Sequence, residues 1–184
     1  MIKKNTMYNV KNRSTSIVVY KIPERNIRRE WQPGEIKRIS FDELEQLSFQ
    51  PGGRELMANF LQVVEEEVTR DLGINRQPEY DMSEAQVIDL IKTGSIDAFL
   101  DALDFAPEGV LDLIKSFSVS VPLTDMDKRK ALKAKTGFDV DKAIVNASLE
   151  KDDNIIDTTN SEAASVAPGR RTNTNYKVVT KVAN

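Results

Sequence analysis

A chain of 184 residues, 40% hydrophobic and 30% charged, carries enough apolar surface to bury a core and suits one domain or two small ones. It contains no cysteine and no histidine, which excludes disulfides, thiolate zinc sites, Cys- or Ser/His/Asp-based nucleophiles and imidazole acid–base chemistry. The formal net charge is only −3, but residues 1–40 hold ten Lys/Arg against three Glu, residues 41–72 two against eight acids, and residues 73–122 three against nine. A basic N-terminal module beside an acidic middle suits contact with oppositely charged partners, other copies of the chain included, or neutralisation of one module by the other. No apolar run approaches the roughly 18 residues of a membrane span, and Met1 to Thr6 is not followed by the apolar stretch of a signal peptide. A soluble protein made in a cytoplasm is expected, with no membrane contact.

In chain order, Met7 to Asn12 alternates as a strand does, and Arg13 to Ser16 is a polar turn. Ile17 to Ile22, dense in β-branched residues and ended by Pro23, is expected to be a central strand. Ile27 to Trp31 and Glu35 to Ile39 flank Pro33-Gly34, a turn dipeptide in which proline pre-sets φ and glycine accepts the positive φ of a type II turn. A hairpin is predicted there. The period of two places Ile27, Arg29 and Trp31 on one face and Arg28 and Glu30 on the other. Arg28 and Trp31 are candidate partner-binding residues, Trp31 as a packing or interface side chain with no ligand role. Asn12 and Asn26, beside turns, read as turn residues. Four strands in forty residues with short connections favour an antiparallel sheet or small sandwich.

Ser40 to Glu43 has the S-x-x-E form of a capping box, predicting a short helix from Phe41 to Leu47. Pro51-Gly52-Gly53 stops it, and a second helix from Arg54 places Leu56, Met57, Phe60 and Leu61 on one face, covering one side of the sheet with Leu44 and Leu47. After Val63, a further helix is predicted to run to Leu72. Glu65, Glu66 and Glu67 lie on it at adjacent positions that point around the cylinder, so they read as a solvated face rather than a cation site. Residues 73–80, GINRQPEY, lack periodicity and read as an internal linker.

From Asp81 to about Asp152 the pattern is helical, in five short pieces. Ser83 to Gln86 is a second capping box, with Met82 and Val87 placed as a hydrophobic staple and Gly94 at the helix end. Ser95 caps a helix carrying Ile96, Phe99, Leu100 and Leu103. Pro107 sits in the first turn of the next, with Val110, Leu111, Ile114 and Phe117 inward and Phe105 packed between the two. Pro122 closes that helix, Thr124 opens another through Lys135 that ends at Gly137, and Asp139 caps the last, with Val140 and Ile144 inward. Lys128, Arg129, Lys130, Lys133 and Lys135 form a basic run that a nucleic-acid reader would want. Asp125 and Asp127 at the start of the same helix would repel phosphates, and acid first with base later is the ordinary complement of a helix dipole. A solvated face is the reading adopted.

Asp157 to Pro168 is rich in Ser, Thr and Ala and has no apolar periodicity, so it reads as a linker. Beyond Arg170 and Arg171, Tyr176 to Val182 is a strand pattern, with Tyr176, Val178, Thr180 and Val182 on one face and Lys177 and Lys181 on the other. A lone strand on an arm needs a sheet edge to pair with. Arg170, Arg171, Tyr176, Val178 and Val182 are therefore candidate partner-binding residues, and the sheet edge of a neighbouring subunit is the expected target.

YNVKNRSTSIVVYKIPERNIRREWQPGEIKRISFDELEQL, QPGGRELMANFLQV and PLTDMDKRKALKAKTGFDVDKAI together resemble uncharacterised structural proteins of tailed bacteriophages, of the head or head-decoration type. The resemblance implies a non-enzymatic virion component, present in many copies, made in the host cytoplasm and bound to other virion proteins or to itself. The expected architecture is α+β: a β-rich module with two capping helices over 1–63, an acidic helix and linker over 64–80, a helical bundle over 81–152, and an extended arm over 153–184. No catalytic, cofactor-binding or metal-binding residue is nominated. The alternative is a phage-encoded regulatory or nucleic-acid-binding protein acting in the host cytoplasm.

Overall fold

The computed structural model describes residues 4–149, apart from 76 and 122. Alternating β-branched and aromatic residues build five strands: β1 Met7–Asn12, β2 Val18–Ile22, β3 Ile27–Trp31, β4 Ile36–Ser40 and β5 Leu61–Val63. They form two small antiparallel sheets, one in the order β4-β1-β5 and one of β2 with β3, and helices follow. The fold is α+β, as the sequence pattern predicts.

The hairpin expected around Pro33-Gly34 does not form, although its turn does. Glu35 N–H donates to the Gln32 carbonyl at 3.0 Å, and Gly34 has a φ of 72°. With proline before that glycine the turn is of type II, whose twist splays the strands it joins. β3 pairs with β2, from Val18↔Trp31 to Ile22↔Ile27, while β4 crosses to β1, from Met7↔Ser40 to Lys11↔Ile36. The backbone of Asn12 fills the gap: its N–H donates to Glu35 O and its carbonyl accepts from Gly34 N–H. The same topology corrects the expectation for residues 17–22. β1, laddered on both sides, is the central strand; among the described residues β2 is laddered to β3 alone.

Side chains then sort by period. Val18, Tyr20 and Ile22 of β2 point inward while Val19 and Lys21 point out. With Val10, Trp31 and Ile39 they form a core closed by Leu44 and Leu47 of α1 (Phe41–Phe49) and Met57 of α2 (Gly53–Asn59). The chain between these helices must be glycine at 53, because a Cβ there would lie 1.8 Å from the Leu47 carbonyl oxygen. Leu61 and Val63, expected on or after a helix, belong instead to β5, which pairs Val10↔Val63 and Asn12↔Leu61. Three residues with two inward side chains are too few for a strand period to show in the sequence. α3, Glu66–Asp71, follows, and Ile74 of the expected linker is buried in the same core.

Five helices succeed it: α4 Glu84–Lys92, α5 Ile96–Phe105, α6 Glu108–Ser120, α7 Met126–Thr136 and α8 over 140–149. Their ends are closed locally. Ser83 and Gln86 make both bonds of a capping box, Ser95 accepts from Ala98 N–H, and Asp139 accepts from Lys142 N–H. Asp125, not Thr124, caps α7, and Pro107 occupies the cap of α6 rather than its first turn. Pro122 lies outside the described residues. Val87, Ile91, Phe99, Val110, Ile114, Leu132 and Val140 lead a second core.

The described residues up to Ile144 form a first compact unit, and 145–149 fall outside it. Within the first unit the two cores meet at a polar seam. Arg13 and Asp81 are ion-paired with both side chains almost fully enclosed. Gly109 of α6 sits against them: a Cβ there would lie 2.6 Å from Arg13 Cγ and 2.8 Å from Asn59 O.

Candidate interaction surfaces

The most reactive buried groups of the β-rich region are used as fasteners. Glu43 was expected to reach back to the α1 cap; Ser40 Oγ does accept from Glu43 N–H at 3.3 Å, but the Glu43 carboxylate turns into the fold. It accepts from Tyr20 Oη at 2.6 Å and from Arg29 Nε and Nη2, both at 2.9 Å. Burial pushes the Glu43 carboxyl up, yet the paired Arg29 guanidinium and the Tyr20 hydroxyl outweigh it and hold the carboxyl below its usual range. Burial, followed by that carboxylate, pushes the Tyr20 phenol far up. This triad ties α1 to the β2–β3 sheet.

Trp31 is fully enclosed. Its Nε1–H donates to Val10 O at 3.3 Å and its ring packs on Tyr20 with centroids 5.2 Å apart. It is a packing residue that joins the two sheets and offers no surface to a partner. Arg28 is exposed and pairs with Glu30 of its own strand at 2.8 Å. Nearby, the outward side of β2 presents Val19, and Ile17 just before it is 53% exposed. β2 therefore combines an edge that carries no ladder among the described residues with apolar side chains at the surface.

The basic run of α7 has partners within the chain. Lys128 is buried: Nζ donates to the Leu90 and Ile91 carbonyls at 3.0 and 3.2 Å, closing the end of α4, and lies 5.6 Å from the centre of the Phe99 ring. Arg129 pairs with Asp141, Lys130 with Asp127, Lys133 with Asp139 and Lys135 with Asp104. The cations a nucleic acid would need are thus engaged by carboxylates and carbonyls of the fold.

A different surface emerges on α5. Phe105, expected between two helices, is 54% exposed and stacks on Tyr80, with ring centroids 5.6 Å apart and planes inclined by 33°. The reason is periodic: Asp97, Asp101 and Phe105 are spaced four apart and share the polar face of α5, while Phe99, Ala102 and Leu103 take the core. Partial desolvation and then the charges of Asp101 and Glu79 push the Tyr80 phenol above its usual range, so both carboxylates act on the aromatic pair. Glu79, Asp97 and Asp101 have no cation partner among the described residues. A shallow, mainly polar depression lined by Asn59, Asn75 and Gln77 with Ala58, Ala106 and Pro107 includes Phe105.

Arg170, Arg171, Tyr176, Val178 and Val182 lie outside the described residues. Among the described residues no group of three or more acidic side chains is placed to hold a metal ion, and no helix is long and apolar enough to cross a membrane. No family model, curated protein or solved structure matches this chain.

Proposed function

We propose that this protein is a non-enzymatic structural component of a tailed-phage particle, capsid-associated or at the head–tail junction, whose C-terminal strand segment engages a neighbouring subunit. The observation that carries the reading is the edge of β2 that carries no ladder among the described residues. A strand laddered on one side offers unpaired backbone donors and acceptors to an incoming strand, and the outward Val19 and exposed Ile17 give such a strand apolar surface. Tyr176 to Val182 supplies the matching pattern, with its apolar face set by Tyr176, Val178 and Val182. The resemblance of its segments to phage structural proteins supports that setting, and the use of Glu43, Arg29, Tyr20 and Lys128 as internal fasteners suits a protein built for rigidity.

Mass spectrometry of purified particles is the direct test, paired with deletion of residues 169–184. The protein is expected in the particle in many copies, and the truncated chain is expected to fold normally but to be incorporated poorly. Its absence from particles, with abundance in infected cells, would reject the reading.

A further inference from the structure

We infer that the exposed Phe105 and the half-buried Tyr80 stacked on it, with the carboxylates of Glu79, Asp97 and Asp101, form the docking site for Arg170 and Arg171 of a second copy of this chain. The inference rests on the reading that the C-terminal segment binds a neighbouring subunit, and it assigns the place where that segment is anchored ahead of its strand.

The patch and the segment are complementary in charge and in shape of chemistry. Residues 169–184 carry four cations, Arg170, Arg171, Lys177 and Lys181, and no acid. The neighbouring aromatic pair, not charge alone, singles out the patch: Asp42, Asp104, Asp127, Asp139 and Asp141 already have cation partners, but Glu67, Asp71, Glu84 and Asp89 have none among the described residues. Glu79, Asp97 and Asp101 have none among the described residues, and two of them flank an aromatic face open to solvent. Guanidinium is the cation that satisfies both features at once. Its plane lies flat on an aromatic ring while its edge donates in parallel to a carboxylate, which an ammonium does less well. The outward face of the β2–β3 sheet, by contrast, carries Lys21 and Arg28 side by side with only Glu30 to offset them, so it suits the arginine pair less even where its edge accepts the strand. Division of labour follows: the arginines seat on α5 and the strand pairs elsewhere.

Sedimentation analysis of the full chain tests this with two variants, Asp101→Lys with Phe105→Ala on the patch, and Arg170→Glu with Arg171→Glu on the arm. Both change exposed or terminal positions, and matching circular dichroism will show that the fold is kept. Each double variant is expected to weaken self-association by tenfold or more, a change of about 1.4 kcal/mol or greater. Mixing them is expected to restore much of it, since one chain then supplies an intact arm and the other an intact patch. A wild-type chain that stays monomeric, variants that associate as the parent does, or a mixture that gains nothing would each overturn the assignment, the last by pointing to contact within one chain. Truncation at 169 that abolishes particle incorporation while the patch variant incorporates normally would overturn this site and leave the proposed function standing. Absence from particles with intact self-association would do the reverse.

Discussion

In the helical half of the unit, helix ends are closed by neighbours in sequence: Ser83 with Gln86, Ser95 with Ala98, Asp125 with Lys128, Asp139 with Lys142. In the β-rich half the same kind of task falls to residues far apart. Asn12, fully enclosed, donates through its amide to the Gln32 carbonyl at 3.1 Å, 20 residues on, and through Ser14 and Ser16 holds its own turn against that contact. Glu43 binds Tyr20 and Arg29 across separations of 23 and 14 residues. Helix starts in one half follow local rules that any helix obeys, with Lys128 closing the far end of α4 from a distance; the other half is fastened by contacts that exist only once the strands have found each other. The second kind should be the costlier to break, and each of the following substitutions probes that difference.

The largest effect is expected at Trp31, which joins the two sheets. Trp31→Ala removes a fully enclosed side chain together with its bond to Val10 O, and should destabilise the protein by about 3–5 kcal/mol in urea unfolding. A loss below about 1 kcal/mol would mean that the sheets are held by something other than this side chain. Asn12→Ala comes next. It strands the Ser14 N–H in the interior and removes the amide's bonds to the Ser16 and Gln32 carbonyls, and about 2–3 kcal/mol is expected.

This contrast also explains what the sequence disclosed. Caps at Ser83, Ser95 and Asp139 and the positive φ at Gly137 are written in residues three or four positions apart, and they were legible. The boundaries of β1 and the turn at Pro33-Gly34 were legible for the same reason. Pairing was not: nothing in residues 27–40 shows that β4 will leave β3 for β1, because the choice depends on the Asn12 backbone arriving in the gap. β5 is too short to signal itself, and Glu43 satisfied a capping motif that its side chain does not complete. Of the candidate partner-binding residues, Trp31, expected to pack or to meet a partner, is fully enclosed and only packs. Phe105 misled, since an aromatic near a proline suggests core, yet the four-residue spacing of Asp97, Asp101 and Phe105 carried the correct face.

The Glu43 triad gives the comparison a pH axis. Because the folded-state carboxyl is held below its usual value of 4.5, the triad contributes stability above that value, and this is lost as pH falls through the lower folded-state pKa. Wild-type stability should therefore fall on acidification from about pH 5 downward, by at most about 1.4 kcal/mol per pH unit from this one proton. Glu43→Gln should be less stable at neutral pH and show a shallower decline. Parallel acid limbs for the two proteins in pH-dependent chemical denaturation would show that Glu43 is not the group responsible.

The smallest effect is expected at Ser83, and it is the most informative about the helical half. Ser83 Oγ accepts from Gln86 N–H, while Gln86 Oε1 accepts from Ser83 N–H at 2.8 Å, so the alanine variant loses one of two reciprocal bonds and leaves a first-turn amide to water. Because this helix start is exposed, water replaces the lost acceptor, and about 1 kcal/mol is expected, less than half the figure for Asn12→Ala. Amide exchange should quicken in the first turn of α4 alone, since the buried stripe of Val87, Leu90 and Ile91 still holds the helix against α6, and Lys128 still closes its far end. If instead Ser83→Ala accelerated exchange through α5 and α7, or matched Asn12→Ala in magnitude, the cap would be acting on the whole bundle, and the distinction between a locally closed half and a distantly fastened half would fail.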